Sequence, residues 1–235
     1  MSIQNFYLTL AIILVSVPLH AQTPKVNVVG AMKAMGNTYD LNISLDTISS
    51  KDHLYGMGPY DKMKGEITVV DGKPYYASAF EEGQYEIGED WNIKSPFFVY
   101  SNVRKWNAFK IEEEFKSVSD IQERVATIAK ENGYDMNRPF AFKIKGEFDA
   151  LTVHIVTPRL PEVEGYREGV TFQKFSFENT KGEIVGFYSQ HHQGVFTGSK
   201  SFVHVHFITK DKKFMGHLDK INTKGNTYKL YLPKK

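Results

Sequence analysis

A mixed α/β (α+β), strand-rich fold, with mixed or antiparallel β-sheets in two lobes and one main helix near 119–132, is predicted by three observations. Aromatic residues make up 14% of the 235-residue chain, with 13 Tyr and 17 Phe, and such side chains suit pleated, half-buried surfaces. Most apolar stretches alternate with period two, the strand period. One stretch alone joins a capping signal, helical spacing and a closing Gly. Charged residues (24%) and hydrophobic residues (41%) are in globular proportion, which excludes a disordered tail, a collagen and a polytopic membrane protein. The net charge of +2 is spread without long basic runs, so no nucleic-acid footprint is present. The absence of cysteine removes disulfides, thiolate metal sites and a thiol nucleophile together.

Residues 1–21 read as a signal peptide. Leu8 to Val17 is an unbroken apolar run with two hydroxyl residues, of signal-peptide length and too short to span a bilayer. Cleavage is expected after Ala21 or Gln22. The mature protein is then exported, periplasmic or secreted, with no stable membrane insertion.

The remaining elements follow in order. Gly30 to Met35 is expected as a short helix stopped by Gly36-Asn37, and Tyr55 to Tyr60 as a loop, because it carries two Gly and a Pro. Glu66 to Val70 and Lys73 to Phe80 flank Asp71-Gly72, a dipeptide that supplies the positive φ angles of a tight hairpin turn. The helix starts near Ser119, with Gln122 completing a capping box. Ile121, Val125, Ile128 and Ala129 fall on one face, and Gly133 ends it. Strands are expected at 140–145 and 148–156 around a Gly146-Glu147 turn, then at 171–178, 183–189, 202–209, 214–221 and 227–232. The stretch with Pro158, Pro161 and Gly165 divides an N-terminal lobe (26–160) from a C-terminal lobe (166–235).

Chemistry concentrates in the last lobe. In Phe202-Val203-His204-Val205-His206-Phe207-Ile208, Val203, Val205 and Phe207 share one face of a strand and His204 and His206 the other. A hairpin centred between Asp211 and Lys212 sets His206 opposite His217, with Cβ atoms about 5 Å apart. Three imidazoles then converge as a zinc ion requires, and three histidines with an open position are the arrangement of catalytic zinc. Iron, copper or nickel would also accept them. Without a metal, the same pattern describes three strand histidines facing solvent. His191-His192 reads as an exposed pair in a polar loop.

The segment from Phe202 to Gly216-His217 resembles the metal segment of the acetolactate decarboxylase family. It carries two spaced histidines, a charged turn, and a Gly-His at the same distance. Three further blocks are similar in the same order: Gly56 through Gly65-Glu66 to Tyr75, Phe140 to Gly146, and Phe175 to Phe187. The resemblance implies a zinc-dependent carboxy-lyase, a homodimer by analogy, that converts 2-acetolactate or a similar 2-hydroxy-3-oxo acid to acetoin and CO₂. By position it implies His204, His206 and His217 as metal ligands and Glu66 as a catalytic carboxylate. Loss of CO₂ leaves an enediolate that a Lewis acid stabilises, and a carboxyl group manages the proton. There are departures. The family's arginine after the central strand aligns with His154, taken here as a second candidate catalytic residue or a polar filler. Arg159 or Arg167 is an alternative source of the guanidinium. The family's Gly-Thr is Gly58-Pro59, and no Glu follows Glu183 to match a tail glutamate. A member that binds a small hydroxy or keto acid without turnover is therefore a second reading. A third is a cupin-like metalloenzyme, since Gly198 precedes His-x-His at the cupin spacing; the Glu that cupins place after the second His is missing from Phe207 to Asp211.

Overall fold

The computed structural model describes residues 23–36, 38–80, 83–158 and 170–235. The expected signal peptide, Asn37, Arg159, Arg167 and the 159–169 segment lie outside the described residues. In chain order the strands are β1 (Asn27–Val29), β2 (Ile43–Ser44), β3 (Leu54–Tyr60), β4 (Gly65–Val70), β5 (Lys73–Ala79), β6 (Tyr85–Glu89), β7 (Lys94–Ser95), β8 (Phe98–Asn102) and β9 (Trp106–Ile111). Helix α1 (Val118–Glu131) follows, then β10 (Phe140–Pro158), β11 (Val170–Tyr188), β12 (Val203–Thr209), β13 (Met215–Asn222) and β14 (Tyr228–Pro233). One antiparallel sheet runs β1-β8-β3-β4-β5-β6. The second runs β11-β12-β13-β10-β14-β9, and β10 also pairs with β11, which closes β10, β11, β12 and β13 into a small barrel. Among the described residues the fold is strand-rich with a single α-helix, as expected.

The two sheets divide between Asn102 and Trp106, so the expected partition at 160–166 is not the partition of the sheets. β10, assigned above to the first lobe, is the centre of the second sheet. One apolar core joins the sheets: Met57 and Ala77 from the first pack in the same cluster as Phe142, Ile155 and Phe207 from the second. A smaller core around Leu45, Ile67 and Phe98 covers the other face of the first sheet.

Glycines account for the main departures. Tyr55–Tyr60 is not a loop but most of β3, a buried strand. A Cβ on Gly56 would lie 2.7 Å from the Phe98 ring, and one on Gly58 2.2 Å from the Phe97 carbonyl oxygen. These glycines serve close approach within a sheet, a use the residue has beside turns. The expected turn at Gly146-Glu147 is likewise absent. β10 and β11 are each 19 residues long, with Gly146 opposite Gly182 in mid-ladder. The aromatic rings of Tyr228 and Phe207 occupy the space their Cβ atoms would take.

Other local expectations hold with adjusted boundaries. Asp71 and Gly72 have φ of 49° and 79° and join β4 to β5. The helix is capped by Ser117 rather than Ser119: its side chain accepts from the Asp120 N–H, and the Asp120 carboxylate accepts from the Ser117 N–H. Gln122 instead reaches the segment before β12, where its carbonyl oxygen accepts the Phe202 N–H at 2.7 Å. Ile121, Val125, Ile128 and Ala129 are buried as expected. The short helix of 30–35 is a 3₁₀ turn, Met32–Ala34, pinned by a Met32 N–H to Val195 carbonyl bond of 2.8 Å.

Candidate metal centre and cavity

The β12–β13 hairpin has the register expected from its turn, with His206 opposite His217. Lys212 at φ 61° and a Thr209 N–H to Phe214 carbonyl bond close the hairpin. Val203, Val205 and Phe207 turn into the core, while His204 and His206 turn to the other face. That face is not solvent. β4 of the first sheet lies over it, and His206 is fully buried and His204 nearly so.

The three imidazoles converge. Ring centroids are 4.9 Å apart for His204 and His206, 5.0 Å for His204 and His217, and 5.4 Å for His206 and His217. One nitrogen from each lies within 4.8 Å of the others. The Nε2 atoms of His204 and His206 are 3.2 Å apart, close to the ~3.3 Å that separates two tetrahedral ligands each about 2.0 Å from a zinc ion. The Thr68 hydroxyl meets His206 Nδ1 at 2.8 Å, the outer bond that orients a ligand ring and leaves Nε2 for a metal. Burial pushes all three imidazoles toward the neutral form, His204 to about 4, with His154 adding to the effect on each. Neutral rings with lone pairs turned inward are what a divalent cation requires, so the donor set fits a metal.

Glu66, at the start of β4, is buried beside the triad. Its Oε2 is 3.6 Å from His206 Nε2, and its Oε1 accepts the Val156 N–H at 3.3 Å. Burial drives its carboxyl well above the ordinary carboxylate range, with the Asp219 charge adding to the rise and the Val156 bond opposing it. His154, on β10 directly opposite His217, stacks on that ring at 4.7 Å, and its Nε2 stands 3.8 Å from Glu66 Oε1. The structure therefore brings together all five candidates, Glu66, His154, His204, His206 and His217. Glu66, His154, His204 and His217 border a cavity of about 570 Å³, with His206 buried behind them; its apolar wall includes Met32, Met35, Met63, Phe97 and Phe172. His191 is exposed and His192 partly buried against Phe196, away from this cavity.

Two polar members escaped sequence reasoning. Thr68 lies two residues after Glu66, and Asp219 two after His217. Period-two alternation puts Thr68 on the face of Glu66, a signal that was available but not specific, whereas Asp219 owes its aim to an irregularity in the β10–β13 pairing. The methionines of the wall come from turns and a 3₁₀ segment, and no pattern pointed to them.

Three converging imidazoles and a buried carboxyl, next to an apolar cavity between antiparallel sheets, define a protein with a candidate metal centre beside space for a small molecule. A family model described as alpha-acetolactate decarboxylase matches residues 26–232, and the chain belongs to that family. It is similar to alpha-acetolactate decarboxylase of Lactococcus lactis subsp. lactis (strain IL1403), 29% identical over 195 residues, 82% of this chain and 76% of that protein. Against that of Lactococcus lactis subsp. cremoris (strain MG1363) it is 30% identical over 197 residues, with the same coverage of 82% and 76%. Among solved structures it is similar to alpha-acetolactate decarboxylase from Bacillus subtilis strain 168, with a TM-score of 0.67, 21% identity, and coverage of 89% and 86% of the two chains. A protein of unknown function from Staphylococcus aureus, described as similar to alpha-acetolactate decarboxylase, gives a TM-score of 0.66 at 20% identity, covering 88% and 85%. At these identities the structural likeness concerns the fold alone. The family match, with all three histidines on one hairpin, leaves no ground for the cupin reading.

Proposed function

We propose that this chain is a zinc-dependent carboxy-lyase of the acetolactate decarboxylase type, which takes 2-acetolactate or a similar 2-hydroxy-3-oxo acid to acetoin and CO₂. The observation that carries the reading is the convergence of His204, His206 and His217 beside Glu66 at one cavity, in a chain of this family. The three histidines would hold the ion, which would supply Lewis acidity to stabilise the charge left when CO₂ departs.

The chain's own groups do the rest. The departing CO₂ leaves an electron pair on carbon, and a proton must replace it. Glu66 is placed to deliver that proton: burial favours its protonated form, and the Val156 N–H fixes its orientation. His154 lies on the Glu66 side of the cavity, within reach of a substrate oxygen. Export through residues 1–21 is part of the same proposal, supported by the apolar run from Leu8 to Val17. Mass spectrometry of the mature chain is expected to find its N-terminus just after Ala21 or Gln22, and an intact Met1 would refute export by cleavage.

The direct test supplies racemic 2-acetolactate to zinc-loaded protein and follows acetoin. Turnover is expected, and it should stop on chelation and return with zinc. Turnover that survives chelation would remove the metal from the mechanism. Tight binding without turnover would leave a ligand-binding member of the family.

A further inference from the structure

We propose that Asp219 is a positioning residue that locks His154 in the tautomer protonated at Nδ1, so that His154 Nε2 accepts a hydrogen bond from the hydroxyl of a 2-hydroxy acid in the cavity. The second clause rests on the cavity being the substrate site; the first does not. Asp219 owes its place to a β-bulge. Along β10 and β13, Val153 faces Leu218 and Thr152 faces Lys220, which leaves Asp219 as the extra residue. Bulges of this kind re-aim a side chain and recur beside active sites.

Asp219 Oδ1 lies 2.7 Å from His154 Nδ1. A carboxylate only accepts hydrogen bonds, so Nδ1 must donate, and the neutral ring then carries its lone pair on Nε2. The ring has little freedom to turn. It stacks on His217 on one side and meets the Phe172 ring edge-on at 4.6 Å. Among the described residues Nε2 makes no hydrogen bond. Glu66 Oε1, at 3.8 Å, is too far to satisfy it. A fixed, unsatisfied acceptor in a largely apolar cavity selects for a ligand that brings a hydroxyl donor. Lys174 Nζ, 3.9 Å from Asp219 Oδ2, balances the charge of the carboxylate from the surface.

The test has two arms, both on the full folded chain and neither dependent on turnover. In the first, ¹⁵N NMR of the histidine rings at about pH 8 reads the His154 tautomer, assigned with His154→Gln. Wild type should show Nδ1–H and a bare Nε2. Asp219→Asn, whose amide can donate to Nδ1, should shift the ring toward Nε2–H. A wild-type ring protonated at Nε2, or no change in Asp219→Asn, overturns the positioning role. In the second arm, 2-hydroxyisobutyrate and isobutyrate are titrated into zinc-loaded protein. Wild type should prefer the hydroxy acid by at least about tenfold, as one good hydrogen bond allows. In Asp219→Asn that preference should shrink by about tenfold while zinc content and isobutyrate affinity stay the same. A preference that keeps its wild-type size in Asp219→Asn overturns the acceptor role. If neither acid binds wild type, the substrate-site reading and the acceptor role fall together, and the tautomer arm still decides the positioning role.

Discussion

Glu66 sits in a site hostile to its charge, under a sheet and beside three imidazoles that burial keeps neutral. Glu66→Gln keeps the shape and the Val156 contact but cannot give up a proton. It is expected to lower kcat by about 10²–10⁴ with zinc content unchanged, and lost zinc would instead identify Glu66 as a ligand. Thr68→Val removes the hydroxyl that holds His206 Nδ1 at 2.8 Å. Zinc affinity should fall about 10- to 100-fold, the usual cost of losing an outer-sphere partner, and competition with a chromophoric chelator measures it. The depressed histidines also set a pH dependence. In metal-free protein their folded pKa values lie below the unfolded 6.5, so the folded state binds fewer protons. The stability they support is present above about 6.5 and is lost as pH falls toward the folded values, about 4 for His204. Thermal melts of metal-free protein should show Tm dropping across that window, and His204→Gln should flatten the drop. At this scale the candidate metal ligands were legible, because alternation and an even-numbered turn place three rings on one side. Asp219 was not: its aim comes from a bulge that exists only where two strands meet.

Among the elements, the β12–β13 hairpin carries the site, and Gly216 lets it sit against β10. A Cβ there would fall 2.7 Å from the His154 carbonyl oxygen, a backbone atom that can yield only if the strands part. Gly216→Ala is expected to destabilise the protein by about 1–3 kcal/mol and to weaken zinc binding with it, since His217 is the next residue. Chemical denaturation and zinc titration of the variant check both. The helix cap is a separate matter: Ser117→Ala should cost about 1 kcal/mol, where Ser119→Ala should cost little. Element positions were readable wherever the signal was local, as in the Asp71-Gly72 turn and the buried face of α1. They were misread where glycine serves packing. Gly56, Gly58, Gly146 and Gly182 look like turns in sequence because the aromatic rings and carbonyls that fill their missing side chains lie on other strands.

Across the whole molecule one core joins the two sheets, and a buried lysine lies between them. Lys143 of β10 is 7% exposed. It donates to the Tyr55 hydroxyl at 2.8 Å, and its ammonium lies 4.4–5.4 Å from the ring centroids of Trp106, Tyr55 and Tyr231. Burial, helped by Lys145, lowers its pKa from 10.5 to about 8. Above that value the folded state binds fewer protons than the unfolded chain, so stability should rise with pH from about 8 toward 10. Tm measured over that range should climb in wild type and stay flat in Lys143→Met. The sequence by itself determined the strand-rich class, the tight turn, the amphipathic helix and the face shared by the three histidines, because each depends on residue spacing along one segment. Tertiary structure alone decided that the histidine face is roofed rather than wet, that Glu66, His154 and Asp219 meet it, and that long strands run through their glycines. Those facts depend on which strands and surfaces the fold brings into contact, and contact between residues far apart in the chain leaves no local period to read.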